Sequence, residues 1–274
     1  MVRPLAFLVG LFFAGMLAYS ALRSGISMVT DPTPHTAEEE FHKHAKKVSF
    51  AHDGPLGKFD RAQAQRGFQV YKEVCAACHS LGQVSFRDLE GIGYSEGQIK
   101  TIATEWATKQ PTFNVTTLER GERDNLPSDK FPKVGYAAQG NPPDLSLITK
   151  ARHGGEDYVY SLLTGYAEPD PELLKKFPDS APGDGLHHNP YFANLNLAMA
   201  QPLVADEQVA YAPGNPKATV DQMARDVSAF LTWTAEPKME IRKQSGIAVM
   251  LFLLIFTWLA YLSYKNIWSD KKKR

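Results

Sequence analysis

Two apolar runs frame this chain, and a longer stretch of mixed character lies between them. Gly246 to Tyr264 is nineteen residues without a charge, rich in Leu, Ile, Phe and Val, about the length that spans a bilayer as a helix. Trp258, Tyr261, Tyr264 and Trp268 gather toward its far end, where amphipathic rings favour an interface. A second run, Pro4 to Leu22, follows Arg3. In between, apolar positions recur at helical spacing. Phe68, Tyr71, Cys75 and Cys78 are separated by three, four and three residues, which predicts a helix with one apolar face. Asp60 and Gln63 mark its start in the manner of a capping box. Val220 to Thr234 repeats the pattern through Met223, Val227, Phe230 and Leu231, behind a Thr219–Gln222 cap. A further helix starts at Ser95 and carries Ile99, Ile102 and Trp106. No run alternates apolar and polar residues long enough for a convincing sheet. The pattern therefore predicts a mainly α fold with long loops. Gly67 sits beside the apolar face of the first helix. It costs about 1 kcal/mol relative to Ala, which is tolerable if another helix approaches closely there, and the Val220–Thr234 helix is the expected partner.

These runs divide the chain. Residues 1–30 read as a signal peptide or a signal anchor, since both begin with positive charge and an apolar core. Ala18-Tyr19-Ser20 offers a cleavage site, but Arg23 follows without a polar cleavage region, so retention is favoured. Residues 31–53 read as a linker, 54–236 as one folded domain, 245–265 as a transmembrane helix and 266–274 as a basic tail. Lys265, Lys271, Lys272, Lys273 and Arg274 place that tail in the cytoplasm by the positive-inside rule. The domain then lies on the export side. Thirty basic and thirty acidic residues give a net charge of +0, and no nucleic-acid partner is supported.

Cys75-Ala76-Ala77-Cys78-His79 is a CxxCH box, and it holds the only two cysteines in the chain. That spacing is the attachment signature of a c-type haem: each thiol forms a thioether to a vinyl group, and His79 is held where its imidazole binds the iron. A zinc ribbon would need a second Cys pair, and no strand-helix-strand frame supports a thioredoxin-type pair. Covalent haem attachment on the export side in bacteria agrees with the topology. The first helix is expected to turn Phe68, Tyr71, Cys75 and Cys78 directly to the porphyrin. A closed sixth position favours electron transfer over ligand chemistry. Met1, Met16, Met28, Met239 and Met250 lie in or beside the apolar runs, and Met223 lies on the apolar face of its helix. Met199 is left, at the end of a segment punctuated by Pro169, Pro171, Pro178, Pro182 and Pro190. Long loops of this kind are often functional. His187 and His188 in the same loop remain alternative ligands. His153 and the early His35, His42, His44 and His52 read as solvated.

Ordered blocks then extend beyond the haem box. Arg66-Gly67-Phe68-Gln69-Val70-Tyr71 leads into Cys75–His79, followed by Pro142-Pro143-Asp144-Leu145-Ser146 and by Ala151-Arg152-His153-Gly154-Gly155-Glu156-Asp157-Tyr158-Val159. Leu162-Leu163-Thr164-Gly165-Tyr166, Asn189-Pro190-Tyr191-Phe192, Ala218-Thr219-Val220 and Ala235-Glu236-Pro237 come next. From Leu56 to Trp268 the chain resembles the cytochrome c1 family, of alphaproteobacterial and mitochondrial type.

That resemblance implies a class I cytochrome c-like haem domain with an N-terminal apolar helix and a C-terminal transmembrane helix. It implies one haem c on Cys75 and Cys78, His79 and Met199 as axial ligands, and Arg152 toward a propionate, a task suited to a permanently charged fork. Pro143 resembles a proline near the proximal haem face, although a plain turn residue reads nearly as well. The implied role is electron relay within the respiratory quinol:cytochrome c reductase (cytochrome bc1) complex, from a Rieske iron-sulfur protein to a soluble or tethered cytochrome c. Cytochrome b is a partner and the complex dimeric. The chain is then no enzyme on its own. It sits in a bacterial inner membrane with its haem domain in the periplasm. Two departures stand out: an extra disulfide found in some bacterial relatives is impossible here, and the N-terminal run lacks a short, cleavable look. Glu38, Glu39, Glu40, Glu119, Glu122 and Asp124 are candidates for steering a basic partner, but Arg120 and Arg123 interleave the second group, which favours a plain solvated loop.

Two rival functions are open to the same composition. A stand-alone membrane-tethered cytochrome c shuttle predicts a flexible linker before the anchor. A haem enzyme or gas sensor predicts an absent or labile Met199 ligand and ready carbon monoxide binding.

Overall fold

The computed structural model of the chain describes residues 2–30, 35–135, 141–269 and 271, with residues 2 and 3 described by their main chain only. Of the basic tail, Lys272, Lys273 and Arg274 lie outside the described residues, as do 31–34 of the expected linker. The chain separates into Met1–His42 and Lys43–Arg274.

In the first unit, α1 (Val2–Thr30) carries the N-terminal apolar run as one continuous helix. The short α2 (Ala37–Phe41) begins at a reciprocal capping box: Glu39 N donates to Thr36 Oγ1 at 3.3 Å and Thr36 N to Glu39 Oε2 at 3.2 Å. The acidic Glu38, Glu39 and Glu40 form its first turn, where negative charge suits the helix dipole.

In the second unit, two helices make the central contact. Helix α3 (Arg61–Val70) starts where Asp60 accepts hydrogen bonds from the Ala62 and Gln63 amides. Helix α8 (Val220–Ala235) starts where Thr219 accepts from Gln222 N. They cross at Gly67, as the sequence predicts. Beside the crossing, Arg66 forks onto the fully buried Asp226, Nε to Oδ2 at 2.9 Å and Nη2 to Oδ1 at 3.2 Å, and Gln222 adds a third donor at 2.8 Å. Met223, Val227 and Phe230 point inward with no exposure. Each fully buried side chain of this kind contributes roughly 1.5–3 kcal/mol.

An aromatic cluster fills the space beyond. Phe68, Tyr71, Phe86, Trp106, Phe131 and Phe230 are all buried, with Phe86 and Phe131 ring centroids 4.2 Å apart and Trp106 and Phe131 4.9 Å apart. Helix α4 (Glu96–Glu105), capped by Ser95, lends Ile99 and Ala103. A 3-10 turn, Phe86–Ile92, lends Phe86, Leu89 and Ile92.

The mainly helical expectation holds. Strands β1 (Gln110–Asn114) and β2 (Glu119–Arg123) nevertheless form an antiparallel hairpin in register from Gln110↔Arg123 to Asn114↔Glu119. Every residue of β2 is exposed, so no apolar face imposes an alternation on the sequence. Three short helices follow: α5 (Ile148–Ala151), α6 (Gly155–Leu163) and α7 (Pro171–Lys176). The proline-punctuated loop is thus not bare. Asp170 caps α7, with Pro171 in its first turn, where a missing amide proton costs nothing. Two-residue strands β3 (His187–His188) and β4 (Asn196–Leu197) pair across the loop's far end.

Residues 43–53 fall in the expected linker, yet they are bonded along their length. Lys43 N donates to Pro190 O at 2.7 Å, Lys46 N to Ser161 Oγ at 2.8 Å and Val48 N to Asp157 Oδ1 at 3.0 Å. His52, read from sequence as solvated, is 4% exposed, stacks between Phe50 and Phe59 and meets Glu156 at 2.5 Å. Side chains of α6 satisfy this strap, so its polar composition gives no sign of packing.

Helix α9 (Met239–Trp268) leaves α8 after three residues, and only Met239 of it is buried. Glu240 accepts from Phe59 N at 3.0 Å, Lys243 Nζ donates to His52 O at 2.5 Å, and Arg242 pairs with Glu236. Helices α1 and α9 are each long and apolar enough to cross a membrane.

Candidate functional site

The turn that carries the cysteines departs from the expected geometry. Helix α3 ends at Val70, and Tyr71–Cys75 winds as one π-helical turn, with Ala76 N donating to Tyr71 O at 2.8 Å. The extra residue in the turn shifts the faces. Phe68 and Tyr71 therefore enter the aromatic cluster, and they do not line the cavity beside Cys75. This corrects the expectation of a single face aimed at a porphyrin. Cys78 N and His79 N then both donate to Cys75 O, at 3.1 and 2.9 Å, and the Tyr71 hydroxyl donates to His79 O at 2.9 Å. Tyr71 thus braces the turn from behind.

The cavity measures about 340 Å³. Cys75 and His79 line it from the turn, and Leu197, Ala198, Met199 and Pro202 line it from the loop after β4. Helices α5, α6 and α8 contribute Ile148, Val159, Leu163, Val227 and Leu231, and Arg152 and Tyr158 add polar groups. Four of the five predicted site residues share this lining: Cys75, His79, Arg152 and Met199. Cys78 lies on the same turn but is not among the lining residues. His187 and His188 are not among them either; His187 is exposed, and His188 is buried against Asn196 Oδ1 at 3.3 Å. Met223 is a core residue of α8 with no exposure.

His79 is held in one tautomer. Its Nδ1 lies 2.8 Å from Pro143 O, and a carbonyl only accepts, so Nδ1 carries the proton and, in the neutral ring, Nε2 keeps the lone pair. The carbonyl is fixed because the 142–146 segment is laced to the residues that follow the box. Asp144 Oδ2 accepts from Gly82 N at 2.7 Å, Leu145 N donates to Ser80 O at 2.9 Å, and Ser146 Oγ accepts from Gln83 N at 3.0 Å. Pro143, an ambiguous turn residue in the sequence, thereby holds the imidazole through its carbonyl.

Electrostatics follow from burial. Both thiols are free, and the Cys75 thiol is pushed up to about 12, first by burial and then by Cys78 nearby. A neutral sulfur suits that place better than a thiolate. Arg152 is exposed, donates from Nη1 to Ala151 O at 3.2 Å, and has no carboxylate partner among the described residues. Burial raises the Tyr158 phenol, and Arg152 beside it works the other way. The Tyr166 hydroxyl donates to Met199 O at 2.9 Å. Tyr158 and Tyr166 stand in the ordered blocks of the sequence but received no role there, because neither sits in a periodic pattern that points at the box.

Two thiols, an imidazole, a methionine, an apolar lining and a guanidinium with no carboxylate partner among the described residues suit an apolar macrocycle that carries iron and carboxylates. The residues fit a covalent c-type haem.

Comparisons with known proteins lead to the same chemistry. The model described as the Cytochrome C1 family matches residues 50–271. The chain is similar to cytochrome b/c1 of Bradyrhizobium diazoefficiens, 41% identical over 82% of this chain, and spans 35% of that longer protein. It is 39% identical to cytochrome c1 1, heme protein, mitochondrial, of Arabidopsis thaliana, over 100% of this chain and 84% of the relative. It is 38% identical to cytochrome c1 of Rhodospirillum rubrum, over 82% of this chain and 88% of the relative. With a family match over most of its length and this level of identity, the chain belongs to the cytochrome c1 family, electron-transfer proteins with a covalently bound c-type haem.

Proposed function

We propose that this chain relays electrons within a quinol:cytochrome c reductase of a bacterial inner membrane, taking them from a Rieske iron-sulfur protein and passing them to a soluble or tethered cytochrome c. Cytochrome b is the membrane partner, and the complex is a dimer. One observation carries the reading: His79, with Nε2 free, and Met199 line a single apolar cavity beside Cys75.

In this reading Cys75 and Cys78 would hold the haem by thioethers, and His79 and Met199 would bind its iron. When bound, the haem supplies a one-electron couple whose potential a thioether ligand raises. The chain's own residues do the rest. Pro143 O orients the imidazole and raises its basicity. The apolar side chains of α5, α6 and α8 exclude water, which favours the less charged redox state. Arg152 would pair with a haem propionate. Among the described residues no nucleophile and base are paired at the cavity, and in this reading the chemistry on quinol belongs to partner subunits.

Helix α9 is the anchor, with the haem domain in the periplasm and the basic C-terminus in the cytoplasm. Helix α1 is a retained second anchor. The three-residue, ion-paired passage from α8 to α9 supports a docked subunit over a tethered shuttle, which needs a flexible linker.

The test is a reduced-minus-oxidised spectrum of the tagged protein purified from native membranes in mild detergent, with quinol as reductant. Co-purifying b-type bands, reduced together with the c-type band, support the complex. A c-type band alone, left oxidised by quinol under conditions that preserve a control complex, favours the shuttle.

A further inference from the structure

Met199 sits in a part of the chain with few restraints of its own. Strand β4 ends at Leu197, and Ala198 and Ala200 on either side of the methionine are exposed. Among the described residues, a single hydrogen bond reaches the Met199 main chain. It comes from the Tyr166 hydroxyl, across thirty-three residues, at 2.9 Å.

Tyr166, in contrast, is set in a rigid frame. It follows α6 after Thr164 and Gly165, and Thr164 N still donates to Tyr160 O at 3.1 Å. Gly165 is packed so closely that a Cβ would meet Tyr191 Cδ2 at 2.4 Å and Ser161 O at 2.5 Å. Asn189 ties the end of α6 to the 187–197 hairpin, its Nδ2 donating to Leu162 O at 2.8 Å and its amide to Leu195 O at 2.7 Å. The same helix supplies Val159, Leu162 and Leu163 to the cavity. Burial raises the phenol well above its ordinary range, with Tyr158 adding to the effect.

We propose that Tyr166 is the positioning residue for Met199: by holding the Met199 carbonyl against the end of α6, its hydroxyl sets where the methionine thioether stands relative to the cavity wall. The proposal deepens the electron-relay reading and rests on Met199 being the iron's sixth ligand. A methionine on a surface loop is a weak ligand unless its main chain is kept from drifting. Here the restraint comes from the helix that lines the cavity, so ligand and wall move together.

The experiment uses the full, haem-loaded chain in detergent, comparing wild type with Tyr166→Phe, which keeps the ring and deletes the donor. Three readouts are taken: the far-red methionine-to-ferric-iron charge-transfer band, the equilibrium for carbon monoxide capture by the reduced protein, and deuterium uptake by the 198–203 segment. The expected result is a weakened band, faster uptake and a roughly fivefold rise in carbon monoxide capture, the fold-change equivalent to one hydrogen bond of about 1 kcal/mol. Unchanged band and capture, with or without a change in uptake, overturn the positioning role while leaving the ligand in place. A wild-type protein that lacks the band overturns the ligand reading and the proposal with it. Should Tyr166→Phe not accumulate, 3-fluorotyrosine at position 166, a stronger donor of nearly the same shape, decides the matter. Lower carbon monoxide capture supports the role, and no change overturns it.

Discussion

Gly67 of α3 and Asp226 of α8 stand in main-chain contact: a Cβ on the glycine would come within 2.0 Å of the Asp226 carbonyl oxygen. No side-chain rotation relieves an overlap with backbone. Gly67→Ala gains about 1 kcal/mol of helix propensity but forces the two helices apart along a buried seam, a repacking cost of about 3 kcal/mol or more. Denaturant unfolding of the variant is expected to show a lower midpoint, by an amount matching at least 2 kcal/mol net.

The neighbouring ion pair makes a second prediction. Asp226 is 0% exposed and depends on Arg66 and Gln222 for its hydrogen bonds. Arg66→Met keeps the aliphatic bulk and strands a buried carboxylate, at a cost of about 3–5 kcal/mol. Adding Asp226→Leu to the same chain is expected to recover part of that loss, because a pair replaced by apolar groups leaves no unpaired charge. A double-mutant cycle by denaturant unfolding measures the recovery.

The passage into α9 carries a pH signature. Glu236 titrates below its ordinary range, chiefly because Arg242 hydrogen-bonds it, with burial opposing and Lys150 assisting. A depressed carboxyl stabilises the folded state above its unfolded pKa, and the contribution fades as pH falls through the lower, folded value. Wild type is therefore expected to exceed Glu236→Gln in stability at neutral pH, and the gap to close in acid. Urea midpoints taken from pH 7 downward test the sign.

Arg152 is the exposed cation of the cavity lining. If it faces a propionate, Arg152→Gln removes a positive charge near the iron and makes reduction harder. A loss of about 1 kcal/mol corresponds to roughly 40 mV for one electron. A redox titration of the full chain is expected to give a lower midpoint of that order, with the charge-transfer band intact.

Much of this was legible in the chain. The contact of α3 with α8 followed from Gly67 and two helical stripes, and the cofactor from two cysteines and the histidine after them. Three features were not. The π turn at Tyr71–Cys75 inserts a residue that no apolar spacing records, so Phe68 and Tyr71 were assigned to the wrong surroundings. The β1–β2 hairpin buries no face, which removes the signal that marks strands. The 43–53 strap is polar because its partners, Asp157, Ser161 and Glu156, are polar side chains of α6. Met199 emerged by elimination, but its tether to Tyr166 joins residues far apart in sequence, and only the fold brings them together.

The junction of α8 and α9 also bears on how electrons reach this domain. With three residues between the helices, Glu236 gripped by Arg242, and Glu240 and Lys243 fastened to Phe59 and His52, the domain is tied to α9 by a short passage bonded on both sides. Tunnelling rates depend steeply on distance, so in the proposed relay a haem domain tied in this way leaves changes of distance to the proposed donor and acceptor.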